Sequence, residues 1–167
     1  MNTDYEALRH WIPETRRLTI GGRPVDPEGE RWDVHNPATE EVIANVGGAS
    51  PAQVDAAVAA AREAFPAWAA LSGEERSRHL HRLADVLEAH GEQLLPSIVN
   101  EVGTPVSLAA YLQVKMAVQQ HLRWAAEAAK VDRPEPLGPW DEPVPTMSDV
   151  VHEPVGVVAA ITGYNYP

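Results

Sequence analysis

The residues best suited to chemistry stand at the end of the sequence, in Thr162-Gly163-Tyr164-Asn165-Tyr166-Pro167. In six positions this stretch offers a hydroxyl, a glycine, two aromatic rings and a primary amide. The Asn165 amide is a neutral hydrogen-bond donor, and such donors stabilise a developing oxyanion. Before it runs Val155-Gly156-Val157-Val158-Ala159-Ala160-Ile161, apolar without alternation. That pattern predicts a strand of a parallel sheet covered on both faces. Ligands of open α/β sheets bind beyond the carboxyl ends of the strands, where residues 162 to 166 then fall. A plain polar turn, with Asn165 bonded to local backbone, is the alternative.

The remaining candidates are poorer. The seven histidines are scattered, and His79 and His81 sit two apart on a predicted helix, so they point to different sides. No metal site is expected. Glu74-Glu75 falls in a first helical turn, where negative charge suits the helix dipole better than acid–base work. The chain has no cysteine, which excludes a thiol nucleophile or a disulfide within these residues. The Gly-x-Gly-x-x-Gly phosphate fingerprint is absent, and Gly21-Gly22 and Gly47-Gly48 lack its strand-to-helix context.

The composition is globular. Of 167 residues 44% are hydrophobic, sufficient for a core. The net charge of −11 repels a phosphate backbone, so no nucleic-acid partner is expected. No apolar run approaches the ~18 residues of a membrane span. The N-terminal MNTDYEALRHWIPETRR lacks the apolar core of a signal peptide. The expected location is cytoplasmic.

Several elements must position the C-terminal loop. Residues 17–20 and 23–25 flank Gly21-Gly22, a pair that permits a tight hairpin. Residues 31–34 and 41–46 read as further strands, separated by the turn Asn36-Pro37-Ala38-Thr39. Ser50 caps a helix with Pro51 at its first position and Val54, Val58, Ala61, Phe65 and Trp68 on one face. Pro66 is expected to end or kink it. Ser72 and Glu75 form a capping box for a second helix, with a buried stripe of Leu80, Leu83 and Leu87 and an end at Gly91. A third short helix stops at Gly103, and a fourth runs from about 106 to 130. Five prolines between 133 and 145 exclude a helix and disfavour a central strand, so a surface connector or arm is expected, followed by a strand-like stretch from Thr146 to His152.

Taken together, these motifs resemble the aldehyde dehydrogenase superfamily. EPVGVVAAITGYNYP (153–167) is similar to the segment that enters the family's asparagine loop. LTIGGRPV (18–25) resembles its opening hairpin, VHNPATEEVIANV (34–46) its Asn-Pro-Ala-Thr turn and following strand, and VDAAVAAAREAFPAW (54–68) its first helix. EERSRHLHRLADVLEAHGEQLL (74–95) resembles the second helix and the start of the third. NEVGTPVSLA (100–109) occupies the place of its Glu-x-Gly-x-Pro stretch. The order is that of the family from about residue 17 onward. Many members carry Pro-Trp where this chain has Gly163-Tyr164; the tyrosine keeps a ring, while the glycine gives up a rigid turn.

The resemblance implies an α/β chain corresponding to the N-terminal third of a larger enzyme. Residues 1–130 form the first part of a cofactor-binding domain and 131–152 an oligomerisation arm. Residues 153–167 hold the first strand of a Rossmann-like sheet with the asparagine loop. It implies NAD- or NADP-dependent oxidation of a small-molecule aldehyde to an acid through a cysteine thiohemiacetal. Asn165 would donate to the oxyanion, and Ile161, Thr162, Gly163 and Tyr164 would line the cofactor cleft. A homodimer or homotetramer is implied. The family's cysteine and general-base glutamate have no counterpart in these residues. An inactive fragment, acting if at all as a structural or interaction module, is therefore the alternative.

Overall fold

The structure is a computed structural model describing residues 17–166. Pro167 and the N-terminal stretch read above for a signal peptide, except Arg17, lie outside the described residues. Two small hairpins open the chain. Strands β1 (Leu18–Ile20) and β2 (Arg23–Val25) pair antiparallel, with Leu18 opposite Val25. Gly21 and Gly22 both take positive φ, 57° and 72°, the backbone that a two-residue hairpin turn demands. Strands β3 (Arg31–His35) and β4 (Val42–Gly47) pair around the Asn36–Thr39 turn, with a register shift between Val34 and His35.

Helix α1 (Pro51–Ala69) begins as expected at Ser50, and Gln53 completes a capping box there. The Gln53 side chain does more than cap. Its Oε1 accepts from the backbone N–H groups of Glu28 and Ser50, each at 3.0 Å, and its Nε2 donates to the Asp26 carbonyl at 2.7 Å. One buried amide thus ties the β2–β3 connection to the helix start. Pro66 neither ends nor interrupts α1, which continues to Ala69. The lost N–H bond falls near the helix end, where continuation is short and cheap.

Helix α2 (Gly73–Ala89) starts at the Ser72–Glu75 capping box. Glu75 accepts from the Ser72 backbone N–H at 2.9 Å and from its hydroxyl at 2.8 Å, which holds the Glu75 carboxyl below its ordinary value. Gly91 does not act as the stop expected of it. His90 closes α2, and Gly91 is the buried first residue of α3 (Gly91–Val102), where an added Cβ would lie 2.9 Å from Val114 Cγ1. A packing contact, not a left-handed turn, accounts for that glycine. Gly103 does cap α3 at φ 74°.

The fourth helical run comprises α4 (Val106–Leu108), a π-helix (Ala109–Leu122) and α5 (Arg123–Ala128). It packs against α2 and α3 through small residues. The buried apolar side chains among the described residues are Ala84, Ala109, Val118 and Ala126. The expected α2 stripe is only half realised, since Leu83 is exposed while Leu80 and Leu87 are half-buried. Ionic contacts border this layer. The Arg123 guanidinium bridges Asp85 at 2.9 Å and Glu88 at 2.7 Å, and His81 meets Glu127 at 2.9 Å.

The proline-rich stretch is a hairpin rather than a bare connector. Strand β5 (Glu135–Trp140) pairs antiparallel with β6 (Thr146–Val150), with a register shift between Pro136 and Pro139. A two-stranded ribbon consists of edges alone, so prolines without N–H groups are tolerated there.

The run from Val155 to Ile161 departs most from expectation. It forms no strand among the described residues, and Val155 is 92% and Ile161 96% exposed. The three sheets are separate antiparallel pairs, so none of them supplies the parallel neighbours such a strand requires. The segment lies instead beside the apolar face of α1. Val58 and Phe65 of the helix and Val155, Val157 and Ala159 of the segment line a cavity of about 470 Å³ between them.

Candidate functional site: the asparagine loop

Residues 162–166 form an open loop that bends at Tyr164-Asn165. Its tie to the helical body is the Gln113 side chain on the π-helix, whose Nε2 donates to the Asn165 carbonyl at 3.4 Å. Gln113 is 5% exposed, and its Oε1 has no hydrogen-bond partner among the described residues. A buried amide in a row with Ala109 and Val118 costs about 1–3 kcal/mol unless bonded, so this residue is an expensive choice for mere packing. The sequence signal was available as a glutamine in an apolar helical row, but its partner 52 residues away was not.

Asn165 is exposed, and its side chain makes no hydrogen bond among the described residues. The bond to local backbone expected of a plain polar turn is therefore not made. Its Oδ1 lies over Gly163, 3.2 Å from where a Cβ would stand on that residue. The glycine at 163 thus has a steric explanation. A side chain there would crowd the Asn165 amide. The Thr162 side chain is exposed, and Ile161 and Tyr164 stand open, the latter 89% exposed.

A separate set of contacts ties the first half of the chain to the end of α3. The Gly103 cap seats against Pro37, whose Cγ would be 2.7 Å from an added Cβ, and Asn36 Nδ2 donates to the buried Asn100 Oδ1 at 3.0 Å. These contacts hold the Asn36-Pro37 turn against the end of α3. Between α3 and the π-helix lies a cavity of about 360 Å³, lined by Leu94, Ile98, Glu101 and Gln113 among others. Glu101 as a whole is exposed, but it runs along this apolar wall, and desolvation raises its carboxyl above the ordinary value of 4.5.

Among the described residues no group of three or more His, Asp or Glu side chains could hold a metal ion, and no helix is long and apolar enough to cross a membrane. Glu74 and the scattered histidines are not brought to the asparagine loop in any contact described above.

Comparison with known proteins gives the class. The aldehyde dehydrogenase family model matches residues 25–167, and the chain belongs to that family. It is 36% identical over 160 residues to geranial dehydrogenase of Castellaniella defragrans, covering 91% of this chain and 32% of that protein. A double mutant of betaine aldehyde dehydrogenase from Staphylococcus aureus, solved in complex with NAD+, superposes with a TM-score of 0.83 at 29% identity, over 98% of this chain and 32% of that one. Apo indole-3-acetaldehyde dehydrogenase gives a TM-score of 0.86 at 28% identity, over 98% and 37%. The fold is therefore that of the aldehyde dehydrogenases over about a third of their length, mixed helix and strand with small sheets.

The loop's exposed groups are of kinds that a planar ligand can meet. Ile161 and Tyr164 present open apolar surface suited to a planar ring, and Gly163 permits close approach of a ligand to the backbone. A glycine-rich phosphate cradle is not part of this loop.

Proposed function

We propose that this chain is the N-terminal portion of an NAD- or NADP-dependent enzyme that oxidises an aldehyde to a carboxylic acid. Asn165 is its oxyanion donor. The observation that carries the reading is the Asn165 amide, unengaged at the tip of a loop whose backbone is held by a buried side chain. Bound NAD(P) would supply the hydride acceptor. Ile161, Thr162, Gly163 and Tyr164 would form part of the wall that holds it. A cysteine thiolate from outside these residues attacks the aldehyde carbon, and negative charge gathers on the carbonyl oxygen. A neutral amide aimed at that oxygen stabilises the charge without competing for a proton. The β5–β6 hairpin, with Met147 85% exposed, is the arm through which we expect two or four copies to associate.

The test uses the full product of the gene that encodes this sequence, assayed with a panel of aldehydes and both cofactors at the absorbance of reduced nicotinamide. Turnover is expected. Asn165→Ala should lower kcat about 10²-fold while leaving cofactor affinity nearly unchanged. A panel without turnover would overturn the assignment as an enzyme. A kcat within twofold of the parent, with hydride transfer shown to limit the rate, would remove Asn165 from the mechanism.

The second reading concerns the 167 residues by themselves. They contain no cysteine, so we expect the purified 167-residue chain to oxidise no aldehyde. Turnover that survives repurification would show that the nucleophile is another residue.

A further inference from the structure

We infer that Gln113 is a positioning residue for the oxyanion donor, an inference that rests on the reading of Asn165 given above. Gln113 sits at the buried face of the π-helix, in a row with Ala109 and Val118. Its Nε2 reaches across 52 residues of sequence to the Asn165 carbonyl. That carbonyl belongs to the peptide joining Asn165 to Tyr166, so the bond restrains ψ of Asn165 and the direction in which its side chain leaves the backbone. The Asn165 amide itself is left free of the body. The oxygen of the same glutamine has no hydrogen-bond partner among the described residues, and the side chain lines the cavity between α3 and the π-helix. A stability role would be served as well by an apolar side chain of the same length. The glutamine's nitrogen, which an apolar side chain would lack, is what makes the bond to the loop.

The experiment compares Gln113→Met, Asn165→Ala and the double variant in the full gene product. Methionine matches the length and burial of glutamine, removes the donor and also removes the orphaned oxygen. The expected result is a fall in kcat of about tenfold, from misplacement of a group that must act within fractions of an ångström. KM for aldehyde and cofactor should stay within twofold, and the melting temperature should not fall. In the double variant Gln113→Met should add nothing to Asn165→Ala, because a positioning residue has no effect once its target amide is gone. Gln113→Asn, whose amide falls one methylene short of a bond already at 3.4 Å, should be as slow as Gln113→Met.

A readout independent of turnover comes from hydrogen exchange. Gln113→Met should speed exchange at the amides of residues 163–166 and leave α2 and α3 unchanged. A kcat within twofold of the parent, a full multiplicative effect in the double variant, or unchanged exchange in the loop would each overturn the inference. If Asn165→Ala itself leaves kcat intact, the reading of Asn165 fails. If Asn165→Ala is slow and Gln113→Met is not, only the role of Gln113 fails.

Discussion

Gly163 shows how much of this site is set by single atoms. Its φ is not in the left-handed region, so backbone strain does not demand a glycine there. The contact is steric: an added Cβ would stand 3.2 Å from the Asn165 Oδ1, so the amide would have to give by a few tenths of an ångström. We predict that Gly163→Ala lowers kcat of the full gene product several-fold, roughly the scale expected of a small displacement of a catalytic group. The melting temperature should move little, since the loop is exposed. Steady-state kinetics and a thermal melt check this together; an unchanged kcat would mean that the amide moves aside without consequence. Asn165 stood out as a candidate by its residue type and neighbours, and its role remains the proposal made above. Gln113 did not, because its role is a contact across the tertiary fold, and nothing local marks its partner.

At the scale of elements, the capping boxes were the surest signals. Ser50 and Ser72 both accept from the backbone three residues on, each at 3.3 Å, as local sequence dictates. The Ser72–Glu75 box also predicts a pH dependence. The folded-state pKa of Glu75 is lowered, chiefly by its hydrogen bonds from Ser72, with Arg78 and His79 adding to the effect. A carboxylate of that kind contributes stability above its unfolded value, near 4.5, and the contribution is lost as pH falls through the lower folded value. Circular dichroism melts of the 167-residue chain should therefore show a smaller drop between pH 5 and acid for Glu75→Gln than for the parent. Equal slopes would remove Glu75 from the acid response. The glycines were harder. Gly103 caps α3 as expected, but Gly91 opens it, and only the proximity of Val114 distinguishes the two.

For the whole molecule, the described residues leave much apolar surface uncovered. Val155 and Ile161 are almost wholly exposed, and the α1 face beneath this segment is separated from it by a cavity. An uncharged extended segment with free backbone groups recruits other chains. We predict that the 167-residue chain self-associates through residues 153–167. A version lacking them should sediment closer to monomer and keep the helical circular dichroism, because the segment buries little of α1. Sedimentation velocity at several concentrations decides the matter. A monomeric full chain with a cooperative melt no weaker than that of the shorter version would show that these residues find sufficient partners within the 167.

The sequence by itself determined the elements governed by neighbours in the chain: the Gly21-Gly22 hairpin, the capped helix starts, the Gly103 stop and the order of motifs that marks the family. These depend on backbone preference and on bonds spanning a few residues. The apolar run before the asparagine loop was legible in type but not in state, since a strand exists only when another strand accepts its hydrogen bonds. The proline-rich hairpin, the place of Gly91 in a helix contact and the hold of Gln113 on Asn165 were decided by tertiary structure alone, because each depends on a partner brought near by folding rather than by sequence.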